Sequence, residues 1–127
     1  MSDLNALSVP ELLGRMMGVE LYVINNELLG SVEDLAPYIK EHLIYMIALE
    51  KSGKLFASGP TYDESGAMTG EGLTIVRAST FAEAEEIARG DPFVKAGIRK
   101  SHVQKWRINE GRLSLSLDLS DCSSKIV

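Results

Sequence analysis

Two short stretches, ELYVINNE (20–27) and GLTIVRA (72–78), put apolar side chains on both faces of what their β-branched and aromatic content marks as strands. Leu21 and Val23 oppose Tyr22 and Ile24 in the first, and Leu73 and Ile75 oppose Val76 in the second. A strand of this kind has to be covered from two sides, which an antiparallel sheet with one solvated face does not provide. The rest of the chain must therefore supply a layer of helices for one face and a further covering for the other.

The helical layer is readable. Residues from about Ala36 to Ser52 form an amphipathic stretch that stops at Gly53, a good left-handed cap. A second helix, FAEAEEIARG, is capped by Ser79 or Thr80 and closes at Gly90. Asp91 and Pro92 then open a short turn-helix, DPFVKAG. Between the two longer helices lie the strand KLFASG, ended by Pro60, and a loop, TYDESGAMTG, that leads into GLTIVRA and reads as a mobile flap. Ile98 to Ile108 is extended, and RLSLSLDLS alternates Leu113, Leu115, Leu117 and Leu119 with Ser114, Ser116, Asp118 and Ser120. These last two segments are expected to pair as a hairpin across a turn at Asn109 to Gly111. At the other end, Ser8 followed by Val9, Pro10 and Glu11 predicts a short helix over Val9 to Met17, stopped near Gly18.

Without that first helix and the last strand, the order is β-α-β-β-α-β, the ferredoxin-like arrangement of an α+β domain with both helices on one face of an antiparallel sheet. The expectation is one domain over residues 1–127, with a helical extension at 1–18 and a C-terminal strand and tail at 109–127. The bare face of the sheet still carries apolar residues, so a homodimer closed by face-to-face packing of two sheets is expected, with the C-terminal hairpin helping to close it.

Composition narrows the function. The chain has 127 residues, 45% hydrophobic and 24% charged, which suits a folded domain. Thirteen basic against 18 acidic residues leave a net charge of −5, with no basic patch interleaved with aromatics, so nucleic acid is not an expected partner. The single cysteine, Cys122, cannot form an intrachain disulfide, and the N-terminal residues lack a secretory layout; both favour the cytoplasm. The most apolar run, LIYMIAL, is far too short to span a bilayer, so no membrane role is expected. Two histidines, His42 and His102, without a paired-ligand spacing give no metal site, and no other cofactor is expected. The loop at 61–72 has glycines but no phosphate-binding pattern, and Asp63 and Glu64 do not have calcium-loop spacing.

What remains is a histidine in an odd place. His42 falls on the helix face made by Tyr38, Tyr45, Met46 and Leu49. An imidazole there is either a core residue bonded to the backbone or a proton-transfer group. The second role needs a carboxylate to orient the ring, and Asp91 is the candidate. Asp91 also has a structural explanation, since Asp before Pro at a helix start is an ordinary N-cap. Tyr38 and Tyr45, one turn either side of His42, are candidate pocket residues as well as packing residues.

The run of EHL in the first helix, GKLFASGP, GEGLTIVRA, FAEAEEIARGDPFVKAGI and a strand ending in KWR resembles the YciI-like, YCII-related domain proteins over roughly Leu21 to Trp106. The resemblance implies a ferredoxin-like fold of the dimeric α/β-barrel type and a His–Asp site in a cleft, here His42 and Asp91. It also implies that Ser58 and Gly59, at the end of the Gly-Pro strand, lie near that cleft; with no G-x-S-x-G motif around it, Ser58 reads as a polar wall and not a nucleophile. Members of the family have been linked to breakdown of chlorinated aromatic compounds, and related muconolactone isomerases share the dimeric fold. The N-terminal helix, the long 61–70 loop and the extra C-terminal strand depart from the short family pattern.

The expected function is thus a cofactor-free lyase or isomerase, dehydrochlorinase-like, acting on a small cyclic or aromatic-derived acid. The alternative is a non-catalytic dimeric module that binds a small molecule or serves as an accessory subunit. Net acidity opposes long-range steering of an anionic substrate, and a local cation such as Arg77 or Lys95 would offset it.

Overall fold

Alternation along one strand decides which side chains turn inward. In the computed structural model, which describes residues 3–126, the order of elements is α1 (Val9–Arg15), β1 (Val19–Leu28), α2 (Ile39–Lys51), β2 (Leu55–Tyr62), β3 (Met68–Val76), α3 (Phe81–Arg89), α4 (Pro92–Lys95), β4 (Arg99–Ile108), β5 (Leu115–Asp118) and β6 (Ser123–Ile126). Tyr22, Ile24 and Asn26 of β1 are buried and stand in register with Val76, Thr74 and Gly72 of β3. Met46 and Leu49 from α2, and Ala84, Ile87 and Ala88 from α3, close over them to form the core. Burial of this apolar face is what holds the two helices on the sheet.

The sheet has the strand order β2-β3-β1-β4, with β1/β3 and β2/β3 antiparallel. The last strand of the β-α-β-β-α-β series lies beside the first, as in a ferredoxin-like α+β fold. Residues 20–107 form one compact unit, and residues 3–19 with 108–126 form another.

Several expected boundaries move, each for a physical reason. A 3₁₀ stretch at Val32–Tyr38 contains Pro37, and α geometry begins only at Ile39 instead of Ala36. Proline withholds the N–H that an α turn would use there. Gly53, at φ +80°, ends α2 as expected. Pro60 does not end its strand: β2 runs to Tyr62, because it is the edge strand and an edge tolerates a missing donor. The expected flap shrinks to a tight turn. Asp63 Oδ1 accepts from the backbone N–H groups of Ser65 and Ala67 and from the Ser65 hydroxyl, and the Asp63 N–H donates to Ala67 O.

In the other unit, Ser8 caps α1 by accepting from the Glu11 N–H at 3.2 Å. RLSLSLDLS does not pair with β4. Cys122 takes a left-handed conformation (φ +58°) and Asp121 accepts from the Ser123 N–H, so the segment read as a tail folds back as β6 onto β5. Among the described residues, no helix is long and apolar enough to cross a membrane.

Candidate active site

The imidazole of His42 is held from the side. α2 presents Met46 and Leu49 to the core, and the same periodicity turns His42, one helical turn before Met46, toward the end of α3. Its Nδ1 lies 2.9 Å from Asp91 Oδ1, with the histidine side chain 15% exposed and the aspartate 4%. Asp91 follows Gly90, the C-cap of α3, and starts α4, where the same Oδ1 accepts from the Phe93 N–H at 3.0 Å. The capping and orienting roles that were alternatives in the sequence therefore coexist on one oxygen. With the carboxylate accepting from Nδ1–H, the lone pair of a neutral ring lies on Nε2, and no protein group among the described residues engages that nitrogen. The Phe93 ring stacks on the imidazole, with centroids 4.4 Å apart and planes 23° apart.

A cleft of about 360 Å³ lies against this pair. α2 contributes Ile39, His42, Leu43, Met46 and Ile47, and the sheet contributes Asn26, Ser58, Gly59 and Thr74. The sheet side is polar in an ordered way. Asn26 Nδ2 donates to the Gly72 carbonyl and to Thr74 Oγ1, and Thr74 Oγ1 lies 3.3 Å from Ser58 Oγ, a chain across three strands. A Cβ on Gly72 would meet the Gly59 carbonyl oxygen at 2.7 Å, so a glycine is needed where β2 and β3 close beneath the cleft.

Of the residues singled out in the sequence, His42, Ser58 and Gly59 line the cleft, and Asp91 stands behind His42. Tyr45 and Tyr38 are not among the lining residues. Tyr45 donates its hydroxyl to the Ile87 carbonyl at 2.8 Å and packs at the edge of the core. Burial, with Asp91 and Glu86 nearby, raises its phenol above the ordinary value, which keeps that donor in place. Arg77 is exposed over the Phe56 ring and donates to the Leu55 carbonyl, Lys95 is exposed in the last turn of α4, and neither lines the cleft. His102 is an exposed partner of Glu27.

Arg99 was missed. It is 7% exposed at the start of β4 and lines the cleft, with its guanidinium carbon 4.6 Å from the centre of the Phe93 ring. The available signal was parity: Val103 packs against the core, and alternation puts Arg99 on the same inward face. No group of three or more His, Cys, Asp or Glu side chains that could hold a metal occurs among the described residues.

A partly buried imidazole bonded through Nδ1 to a buried carboxylate, with Nε2 unengaged beside an apolar cleft, is equipped for general acid–base catalysis. Among solved structures, the chain is similar to the 5-chloro-2-hydroxyhydroquinone dehydrochlorinase TftG from Burkholderia phenoliruptrix AC1100, determined as a complex with 2,5-dihydroxybenzoquinone. The two share 26% identity at a TM-score of 0.56, over 68% of this chain and 92% of that one. No curated protein matches. The model of the YCII-related domain matches residues 19–107, the strands and helices that carry the His–Asp pair and its cleft, and the chain belongs to that family.

Proposed function

We propose that the protein catalyses proton transfer on a small, one-ring, oxygen-bearing substrate, a hydroxylated aromatic or a cyclic acid derived from one, in an elimination of the dehydrochlorinase kind or an isomerisation. The observation that carries this reading is the Nδ1-to-Asp91 bond of His42 beside the cleft. In an elimination from a hydroxylated aromatic ring, Nε2 takes one hydroxyl proton and delivers it to the ring carbon that bears the leaving group, so that the oxygen becomes a C=O and that carbon becomes saturated. Nε2 then takes a second hydroxyl proton, the freed electron pair becomes another C=O bond, and the displaced π pair expels the leaving group as its anion. In an isomerisation, the same nitrogen returns the proton to a second carbon. Asp91 holds the ring in register and stabilises the imidazolium that forms. A cavity of roughly 150 Å³ accommodates benzene, so about 360 Å³ leaves room for a substituted ring.

The assembly proposed is a homodimer of the dimeric α/β-barrel type, joined through the helix-free faces of two sheets. Val23, Leu73, Ile75 and, by alternation from Val103, Trp106 lie on that face, and Leu73 and Trp106 are about two-fifths exposed.

The test is incubation of wild type and His42→Gln with chlorinated and hydroxylated aromatics and small lactones, following both ligand-induced thermal shift and product. Gln retains a donor for Asp91 and cannot act as a base. The expected result is turnover in the wild type that falls by about 10²- to 10⁴-fold in the variant, with the thermal shift kept. Undiminished turnover in His42→Gln would overturn the assignment. Binding in both proteins with turnover in neither would make this a binding module.

A further inference from the structure

The cleft contains a second group whose purpose the acid–base pair does not explain. Arg99 is 7% exposed, and one of its nitrogens is satisfied, Nε donating to the Gly70 carbonyl at 3.0 Å. Its two terminal nitrogens have no protein acceptor, and no carboxylate lies within 4.0 Å of the guanidinium among the described residues. A buried cation normally comes with a bonded counter-charge, because leaving water without one is costly. Here no bonded counter-charge is present among the described residues, and the residue lines a cavity. Burial pushes the guanidinium below its ordinary value, with Asp91 and Glu71 acting in the opposite direction, and an arginine remains charged at neutral pH regardless.

The surroundings define what fits. Arg99 and His42 both lie against the Phe93 ring, at 4.6 and 4.4 Å from its centre, and both line the same cleft. Leu43, Met46 and Ile47 offer it an apolar wall. Glu50, the carboxylate among the lining residues, lies eight residues beyond His42 on α2, about 12 Å along the helix axis. The planar fork of a guanidinium suits two oxygens, or one oxygen carrying delocalised charge.

We propose that Arg99 is the substrate-binding residue that selects small planar anions, engaging a carboxylate or an acidic ring oxygen through its two terminal nitrogens while His42 acts at another position of the same ring. The assignment rests on the acid–base reading of the cleft and names the charge class of its ligand. It also answers how an acidic protein attracts an acidic substrate: the cation is inside the site.

Benzoate and benzamide, nearly isosteric and different in charge, are the probes. Calorimetric titration of wild type, Arg99→Met, Arg99→Lys and His42→Gln separates the two assignments. Expected are a clear preference of wild type for benzoate, loss of about 30-fold or more in benzoate affinity with benzamide affinity unchanged in Arg99→Met, and partial recovery in Arg99→Lys. His42→Gln should keep the preference while losing turnover. Equal binding of the two probes to wild type would overturn the proposal without touching the proton-transfer reading, and it needs no variant to fold. An unchanged benzoate-to-benzamide ratio in Arg99→Met would do the same, leaving Arg99 as a support for Phe93. Binding of neither probe to wild type would overturn the proposal and the cleft reading together.

Discussion

Asp91 is where structure and chemistry meet on one atom. Its Oδ1 caps α4 through the Phe93 N–H and orients His42 through Nδ1, so a substitution that keeps this oxygen keeps both bonds and isolates the contribution of the charge. Asp91→Asn retains an oxygen that can accept from both the Phe93 N–H and Nδ1–H, but it removes the negative charge that stabilises the imidazolium formed during proton transfer. Turnover is expected to fall by about 10²- to 10⁴-fold with the melting temperature little changed. Asp91→Ala should lose the same activity and, in addition, about 1 kcal/mol for the missing cap. Thermal melts and steady-state rates on the two variants check this, and equal melting losses would mean the cap is not what Asp91 contributes to stability. Sequence presented Asp91 as a cap and His42 as a helix-face histidine. It did not disclose that one oxygen serves both, because the two residues are 49 positions apart and their meeting depends on how α2 and α3 sit on the sheet.

At the scale of elements, the β2–β3 hairpin shows how a local pattern was misread. Ten residues rich in glycine and small polar side chains suggested a loose flap, yet a single aspartate gathers three donors and lets both strands run further. The hydrogen bond from the Ser65 hydroxyl, followed by backbone donors, lowers the Asp63 carboxyl from its ordinary 3.8. A carboxylate whose folded value is depressed adds stability above its unfolded value, and that stability is lost as pH falls through the lower folded value. Asp63→Asn should therefore melt below wild type at neutral pH, and the gap should close in the acid range below the ordinary 3.8. Melting curves of the two proteins across pH measure it, and a gap independent of pH would assign the difference to geometry. Pro60 gives the same lesson from the opposite side. Read along the chain it is a strand breaker, and only its place on an edge strand makes it harmless.

For the whole molecule, the proposed dimer makes the helix-free face an interface. Val23 and Ile75 are register partners there, on the side of the sheet away from α2 and α3. Ile75→Glu would place a charge in the seam, where it would have to be buried unpaired. Sedimentation equilibrium should give wild type a mass of about twice 13.9 kDa and give the variant a monomer, with ligand-induced thermal stabilisation retained by the cleft on the other face. A wild-type monomer at micromolar concentration would remove the dimer from the proposal.

Local sequence determined what local forces govern. Hydrophobic period, caps and turn residues specify the order β-α-β-β-α-β, the stop at Gly53, the cap at Ser8 and the residue types able to move a proton. Tertiary structure alone decided which of those residues share a cleft. It brought Asp91 to His42 and sent Tyr45 to the Ile87 carbonyl, and it placed Arg99, rather than Arg77 or Lys95, at the cavity wall. It also paired β5 with β6. The physical reason is that side-chain convergence follows from strand register and helix packing. Those depend on contacts between distant residues, whereas a helix stop or a cap is settled within a few residues of itself.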